Sequence, residues 1–380
     1  MSRAPRLFLY VQHLLGIGHL TRARAIARAA AKRGFSVAVV SGGMPVSWAG
    51  EDSVRLIQLP PAKAGDHGFS FIADQDGRPI DEEWRDRRRH ALLDAFSAER
   101  PDMLLLEMFP FGRRQFHFEL LPLLAAARGL PVAASVRDIL VPKHKPARDQ
   151  EVLTLIRDHF DCILVHGDAA VAPFNFPRLT EIADKLIYTG YVLDRMPEAS
   201  PPSGEILVSA GGGAVGAPLL AAALAARPRS AFKDRPWRII TGANLPEDTY
   251  RTLAQAAGGG VVLERFREDF PRLLGACTLS ISQGGYNTVL ETLALRKRAV
   301  IVPFTEGGES EQILRARLLA ERGWCVSLDE QSLDELPRAI DQAAALTLPA
   351  IGLAMKGAEA SAEILWELHH GRLGRSRPRT

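Results

Sequence analysis

The sequence has little cysteine, little net charge and no long apolar run, and each shortage excludes something. Its three cysteines, Cys162, Cys277 and Cys325, stand far apart, each within an apolar stretch. That rules out a disulfide-stapled scaffold and any zinc spacing, and predicts reduced core thiols in a cytosolic protein. No uninterrupted apolar run reaches the roughly 18 residues a membrane-spanning helix needs. Lysine and arginine number 47 against 44 acidic residues, a formal net charge of +3. So small an excess does not argue for nucleic acid, although it tolerates an anionic substrate or membrane surface. Met1-Ser2-Arg3 runs straight into Leu7-Phe8-Leu9-Tyr10-Val11, which reads as a first strand rather than a signal segment.

What is present is the composition of a globular protein: 380 residues, 47% apolar and 24% charged, enough for two domains of ordinary size. In the first half, apolar runs near Leu7, Ser36, Val54, Met103, Val132, Cys162 and Leu186 alternate with helical patterns over Thr21–Lys32, Glu83–Ala98, Phe118–Arg128 and Asp149–His159. This alternation predicts an α/β fold with parallel sheets covered on both faces. The proline-rich stretch 197–204 reads as a linker, after which the alternation restarts near Ile206, Trp237, Val261, Thr278, Ala299 and Val326. The expectation is two doubly wound, Rossmann-like domains, 1–196 and 205–370, facing across a cleft, followed by a basic tail over 371–380. Ligands of such sheets bind beyond the carboxyl ends of the strands.

Polar and glycine residues sit at nearly every predicted strand end. Ser282-Gln283-Gly284-Gly285-Tyr286-Asn287-Thr288 joins a strand to a helix through a double-glycine turn, an arrangement that aims backbone N–H groups and a helix N-terminus at a phosphate. Thr288 with Glu291 fits either a capping box or a carboxylate that accepts ribose hydroxyls. Gly211-Gly212-Gly213-Ala214-Val215-Gly216 matches G-x-G-x-x-G after a strand, but the next strand end, Thr241-Gly242-Ala243-Asn244, lacks the acidic residue of a dinucleotide site. It reads as a phosphate cradle or as close helix–strand packing. His19 follows Gly16 and Gly18 at a helix entry, where the dipole keeps an imidazole neutral; it is a general base for a hydroxyl or a helix-capping histidine. Arg22, one turn on, and Arg85, Arg87, Arg88 and Arg89 read as solvated helix faces. Phe109, Phe111, Phe116 and Phe118 serve as core or as an acceptor-binding loop. Asp74-Gln75-Asp76 reads as a turn rather than a metal site.

These residues resemble a glycosyltransferase of the two-domain GT-B fold, close to the MurG-like family (glycosyltransferase family 28-like) that handles UDP-N-acetylglucosamine. The resemblance rests on Gly16-Ile17-Gly18-His19, on Ser209 to Gly216, on Ser282 to Thr288 with Glu291, and on Glu311-Gln312. It implies UDP in the second domain, with Gly211, Gly212, Gly213, Ser282, Gly284, Gly285, Asn287 and Thr288 about the diphosphate and Glu291 on the ribose. Glu311 and Gln312 would meet the donor sugar, and Phe266 would lie where uracil is read through the backbone. The acceptor would lie against the first domain and His19 beneath the anomeric carbon, with Gly18 among the donor-binding residues and Glu107 and Asp138 as groups that orient or replace the histidine. It also implies metal-independent, inverting transfer without a cofactor, from a nucleotide sugar to a sugar, lipid-linked or small-molecule hydroxyl, in the cytoplasm or against the inner membrane face. Arg296 and Arg298 stand where the family carries glycine and proline. Gly18-His19-Leu20-Thr21-Arg22 is equally similar to a UDP-sugar hydrolase, in which water replaces the acceptor. A non-enzymatic nucleotide-sugar-binding protein is a third reading.

Overall fold

The computed structural model describes residues 3–14, 16–48, 53–65, 71–140, 145–212, 215–305, 310–350 and 352–373. The chain divides into two units, Met1–Asp194 with Leu353–Thr380, and Arg195–Gly352. In the first unit the elements are β1 (Arg6–Val11), α1 (Gly18–Arg33), β2 (Ser36–Ser41), β3 (Val54–Gln58), a short hairpin β4 (Lys63–Ala64) and β5 (Ile72–Ala73), α2 (Glu82–Glu99), β6 (Met103–Glu107), α3 (His117–Ala126), β7 (Val132–Arg137), α4 (Pro146–His159), β8 (Cys162–His166) and β9 (Leu186–Tyr188). Seven strands form one parallel sheet in the order β3-β2-β1-β6-β7-β8-β9.

Alternation along each strand sorts the core into two layers. Phe8 and Tyr10 of β1, with Leu104 and Leu106 of β6, point to the side covered by α2, α3 and α4. Leu7, Leu9 and Val11, with Met103 and Leu105, point to the side covered by α1. Near-continuous apolar strands are what a sheet buried on both faces requires.

The second unit repeats the plan: β10 (Ile206–Ser209), α5 (Ala217–Ala226), β11 (Trp237–Ile240), α6 (Glu247–Ala256), β12 (Val261–Glu264), α7 (Phe270–Ala276), β13 (Leu279–Gln283), α8 (Tyr286–Ala294), β14 (Ala299–Val302), α9 (Glu311–Glu321), β15 (Val326–Ser327) and α10 (Leu336–Ala345). Its six strands are parallel in the order β12-β11-β10-β13-β14-β15. Ile206 and Val208 pack against Leu219, Leu220 and Ala223 of α5 and Leu336 and Ile340 of α10. The linker-like stretch is seated on this unit, where the Ser203 N–H donates to the Ala276 carbonyl at 2.9 Å.

The last helix, α11 (Gly357–His369), departs from the expected division at residue 370. It belongs to the first unit, where Ala358, Ala362 and Leu365 share a buried cluster with Ala23, Ala27 and Ala30 of α1. The physical reason is a helix face built of alanines, which leaves room for a second helix at close range. Backbone bonds fix the approach: the Tyr191 N–H donates to Ala354 O at 2.7 Å and the Gly357 N–H to Tyr191 O at 2.9 Å. A Cβ on Gly357 would lie 2.5 Å from Gly190 O, so only glycine fits there. Trp366 stacks edge-on against Phe35 and carries the Arg33 guanidinium over its face at 4.3 Å.

One further expectation changes, and three of the phenylalanines take the first of their two readings. Arg88 is fully buried rather than solvated, donating to Glu119 at 2.7 and 2.9 Å and to the carbonyls of Gly42 and Pro60 at 2.8 Å. Phe109, Phe111 and Phe116 are buried core residues. The Asp74 turn is as expected, its carboxylate accepting from the N–H groups of Asp76 and Arg78, each at 2.9 Å. Arg375, Arg377 and Arg379 of the basic tail lie outside the described residues.

Candidate active site

In the first sheet β1 and β6 are neighbours, while their following helices lie on opposite faces, α1 over one and α3 over the other. The connections part there, leaving a crevice at the carboxyl ends of the two strands. His19 enters it from the second position of α1, and Glu107 is the last residue of β6. His19 Nδ1 stands 2.8 Å from Glu107 Oε1. An ionised carboxylate only accepts, so Nδ1 carries the proton and Nε2 keeps a lone pair. Arg22 also donates to Glu107 Oε1 and is 2% exposed, which corrects the expectation of a solvated side chain. The spacing i, i+3 on α1 places it beside His19 on the same face.

Burial depresses the His19 pKa to about 3, and the guanidiniums of Arg113 and Arg137 add to the effect, outweighing the attraction of Glu107. Glu107 is buried too, which by itself would raise its pKa, but His19, Arg22 and Arg113 hold it well below the usual carboxylate range. The imidazole is therefore neutral and the carboxylate ionised throughout the physiological range. Asp138, the other expected orienting group, is buried and its Oδ1 accepts from the Ile139 N–H at 3.0 Å. The Gly18 backbone opens α1, next to the exposed Ile17.

Beside this pair lies a histidine whose partners the sequence did not indicate. His166, at the end of β8, is fully buried between Ser135 Oγ at 2.7 Å and Thr189 Oγ1 at 2.9 Å. The Thr189 hydroxyl donates to Gly190 O at 2.9 Å, so His166 Nδ1–H donates to Thr189 and Nε2 accepts from Ser135. Burial holds its pKa at about 3. The signal for this arrangement was the register of β7 and β8, which only the sheet reveals.

In the second unit the corresponding neighbours are β10 and β13, with Ser209 level with Ser282. Both side chains are buried, and among the described residues neither hydroxyl has a hydrogen-bond partner. Gly211 adopts φ +59°, a left-handed turn that glycine accepts without strain, and Gly212 follows it. Gly213 lies outside the described residues. A Cβ on Gly216 would lie 2.1 Å from that of Ala210, so this glycine serves close packing of α5 on β10. Helix α8 begins at Tyr286 with Gly285 as its N-cap, and neither α5 nor α8 has a side-chain cap. Their first N–H groups are thus left to a ligand or water.

This start of α8 removes the capping-box reading: Thr288 sits inside the helix and Glu291 one turn further on. Asn287, Thr288 and Glu291 are half-buried along that turn. The β14 end joins the same place, since a Cβ on Gly284 would lie 3.1 Å from that of Gln312. Gln312 Oε1 accepts from the Phe304 N–H at 3.2 Å, leaving its amide N–H groups as donors. Glu311 is 2% exposed and pairs with Arg315 at 2.6 Å, and the Arg315 guanidinium lies 5.1 Å from the Tyr286 ring centre. Phe266 stands 66% exposed after β12. Its neighbours are anchored, Arg265 over Tyr250 at 4.4 Å and Arg267 to Glu264 at 2.9 Å and Asp269 at 2.8 Å. Among the described residues no group of three or more His, Cys, Asp or Glu could hold a metal ion, and no helix is long and apolar enough to cross a membrane.

Residues 207–361 match the model of the glycosyltransferase family 28 C-terminal domain. A UDP-N-acetylglucosamine–N-acetylmuramyl-(pentapeptide) pyrophosphoryl-undecaprenol N-acetylglucosamine transferase of Clostridium novyi (strain NT) is 31% identical over 81 residues, 21% of this chain and 23% of that protein. The transferase of the same name from Methylococcus capsulatus (strain ATCC 33009 / NCIMB 11132 / Bath) is 34% identical over 95 residues, 25% of this chain and 26% of its own length. The chain thus matches about a quarter of these relatives' length. Among solved structures, the glycotransferase of kitacinnamycin superposes with a TM-score of 0.62 at 15% identity, covering 97% of this chain and 96% of its own. Acinetobacter baumannii MurG superposes with 0.59 at 14% identity, covering 96% of this chain and all of its own. Residues 207–361 thus match the glycosyltransferase family 28 C-terminal domain, and the chain has the fold of the GT-B glycosyltransferases on which it superposes.

Proposed function

We propose that this protein is a glycosyltransferase that moves a sugar from a nucleotide-sugar donor, UDP-linked and of the N-acetylhexosamine class, to a hydroxyl acceptor. The observation that carries this reading is a coincidence in place. The family match over 207–361 contains the whole cluster from Gly211 to Gln312, and that cluster lies at adjacent strand ends with two uncapped helix N-termini. Names of the partial relatives favour UDP-N-acetylglucosamine as donor and a pyrophosphoryl-lipid as acceptor. Spinosyn rhamnosyltransferase SpnG, at TM-score 0.59 and 18% identity, was solved with thymidine diphosphate; its likeness bears on fold alone.

In this reading the N-termini of α5 and α8 neutralise the leaving diphosphate, which is why no metal is called for. Glu291 holds the ribose, Phe266 marks the base, and Gln312 donates to the sugar. His19 Nε2 takes the proton of the acceptor hydroxyl as the new C–O bond forms and the anomeric bond to diphosphate breaks, its electron pair leaving on the phosphate. Attack from the face opposite the leaving group inverts the anomeric centre. Glu107 fixes the ring and attracts the imidazolium as it forms. A lipid-linked acceptor would bring the protein to a membrane surface as a peripheral partner.

Thermal shift with a nucleotide panel tests the donor. UDP and UDP-N-acetylhexosamines raise the Tm, while ADP and GDP leave it unchanged; stabilisation by a purine nucleotide, or by TDP in preference to UDP, refutes the UDP assignment.

A further inference from the structure

Beside His19 stand three buried polar atoms that the protein itself does not answer. Among the described residues Glu107 Oε2, His13 Nδ1 and Arg113 Nε have no hydrogen-bond partner, and the Glu107 and His13 side chains are 1% and 4% exposed. Buried polar atoms are almost always bonded, so three of them in one place point to a ligand.

Strand geometry brings the three together. Val11 of β1 and Leu105 of the paired β6 both face the α1 side, and two residues beyond each come His13 and Glu107. Burial holds the His13 pKa below its ordinary value, and the charges of Arg113 and Glu107 both reach its ring. His13 Nε2 donates to the Met44 carbonyl at 3.2 Å, so the neutral ring keeps its lone pair at Nδ1. A Cβ on Gly43 would lie 2.3 Å from Cε1 and Nδ1 and 2.5 Å from Nε2, near-equal distances that place it over the face of the ring. Glycine therefore seats the ring and leaves its Nδ1 edge clear. On the way to His19, a Cβ on Gly16 would meet nothing within 4 Å, so this loop borders open space.

The donor and acceptor roles select the ligand. The imidazole Nδ1 and the carboxylate oxygen accept, whereas the guanidinium Nε–H donates. A phosphate or carboxylate only accepts, so it meets Arg113 and leaves the other two atoms unmet. An ammonium only donates, with the opposite failing. A hydroxyl does both, and a pair of hydroxyls supplies one O–H to each acceptor with lone pairs left for Arg113. Arg22, Arg137 and Asp138 engage other groups and do not change this set.

We infer that His13 Nδ1 and Glu107 Oε2 receive a pair of hydroxyls of the acceptor, next to the one that His19 deprotonates, so that the acceptor group is a sugar or another polyol rather than a lone alcohol. The inference rests on the reading of this crevice as the acceptor site with His19 as the base. Two fixed hydroxyls leave the ligand no freedom to turn, and they thereby decide which of its oxygens meets His19 Nε2.

The probes are methyl pyranosides of gluco, galacto and manno configuration, with 1,2-cyclohexanediol and cyclohexanol as a minimal pair, read by nuclear magnetic resonance of the ring nitrogens in protein labelled at histidine. A pyranoside and the diol are expected to shift the His13 Nδ1 signal, and cyclohexanol to leave it in place. His13→Phe should bind the pyranoside about tenfold more weakly, as loss of a hydrogen bond does. His13→Asn, whose amide oxygen can accept in place of Nδ1, should restore most of the affinity. An unchanged His166 signal in each variant shows that the first unit is folded. Equal shifts by cyclohexanol and the diol, shifts at His19 with none at His13, or full affinity in His13→Phe each overturn the inference and leave the crevice as the acceptor site. No shift at either histidine strikes the acceptor reading itself, and the inference with it.

Discussion

Acidification should loosen the first unit well before any carboxylate-driven unfolding, because it holds two imidazoles neutral, His166 fully buried and His19 partly so. His19 and His166 each have a pKa near 3 in the folded chain, against an unfolded value of about 6.5. Between those limits the unfolded chain binds more protons, so stability rises with pH and falls as pH is lowered through 6.5 toward 3. From pH 7 to pH 5 each histidine removes about 2 kcal/mol, or about 4 kcal/mol together. His13, lowered as well, acts in the same direction. At pH 5 carboxylates are still largely ionised in either state, which isolates the histidine contribution. The assay is urea unfolding read by hydrogen exchange and mass spectrometry on peptides from β6 to β8, so that the transition belongs to this unit alone. A midpoint lowered by about 1 to 2 M urea is expected, and His166→Asn should lose about half of the pH dependence. Equal midpoints at pH 7 and pH 5, or an unaltered pH dependence in the variant, would refute the reasoning.

Three other outcomes follow from particular contacts. Glu119→Gln leaves the Arg88 guanidinium buried without its carboxylate and should cost about 3 to 5 kcal/mol in urea unfolding, whereas Arg88→Met with Glu119→Leu should recover much of the loss; a single-variant cost under about 1 kcal/mol would show the pair to be solvated. Because Thr288 is inside α8 and caps nothing, Thr288→Ala should change stability by less than about 0.5 kcal/mol. Glu291→Ala should weaken UDP about tenfold, as loss of charge-assisted hydrogen bonds does, while leaving uracil-containing analogues without ribose hydroxyls unaffected; equal losses for both would remove Glu291 from the ribose.

Much of this architecture was legible before any coordinates, because parallel strands buried on both faces are continuous apolar runs. Strands Ser36–Ser41, Val54–Gln58, Leu186–Tyr188 and Ile206–Ser209 begin where the apolar runs placed them. What could not be read is what partner a side chain meets across the fold. Arg88 looked solvated because it is charged, yet it lies at intervals of four from Trp84, Leu92 and Phe96, all buried, so the helical period placed it inward. Its partner Glu119 is 31 residues away, and that of Arg22 is 85 residues away. The Thr288–Glu291 spacing imitated a cap because Gly285, with no side chain, starts the helix instead. The α11 helix joined the first unit because an alanine face on α1 needed a neighbour, a requirement that spacing within α11 does not express. The glycine turns and His19 were visible as strand-end residues; the Arg22–Glu107 contact beside them was not.

The most direct test is turnover by the protein and by His19→Ala, each given a panel of nucleotide sugars with cell-extract acceptors, the consumed donor and the glycosylated product being identified by mass spectrometry. The account predicts transfer from a UDP-N-acetylhexosamine with little sugar released to water, and a loss of about 10² to 10⁴ in rate for His19→Ala with UDP affinity unchanged. Undiminished turnover in that variant, or sugar release at the same rate without an acceptor, would contradict it.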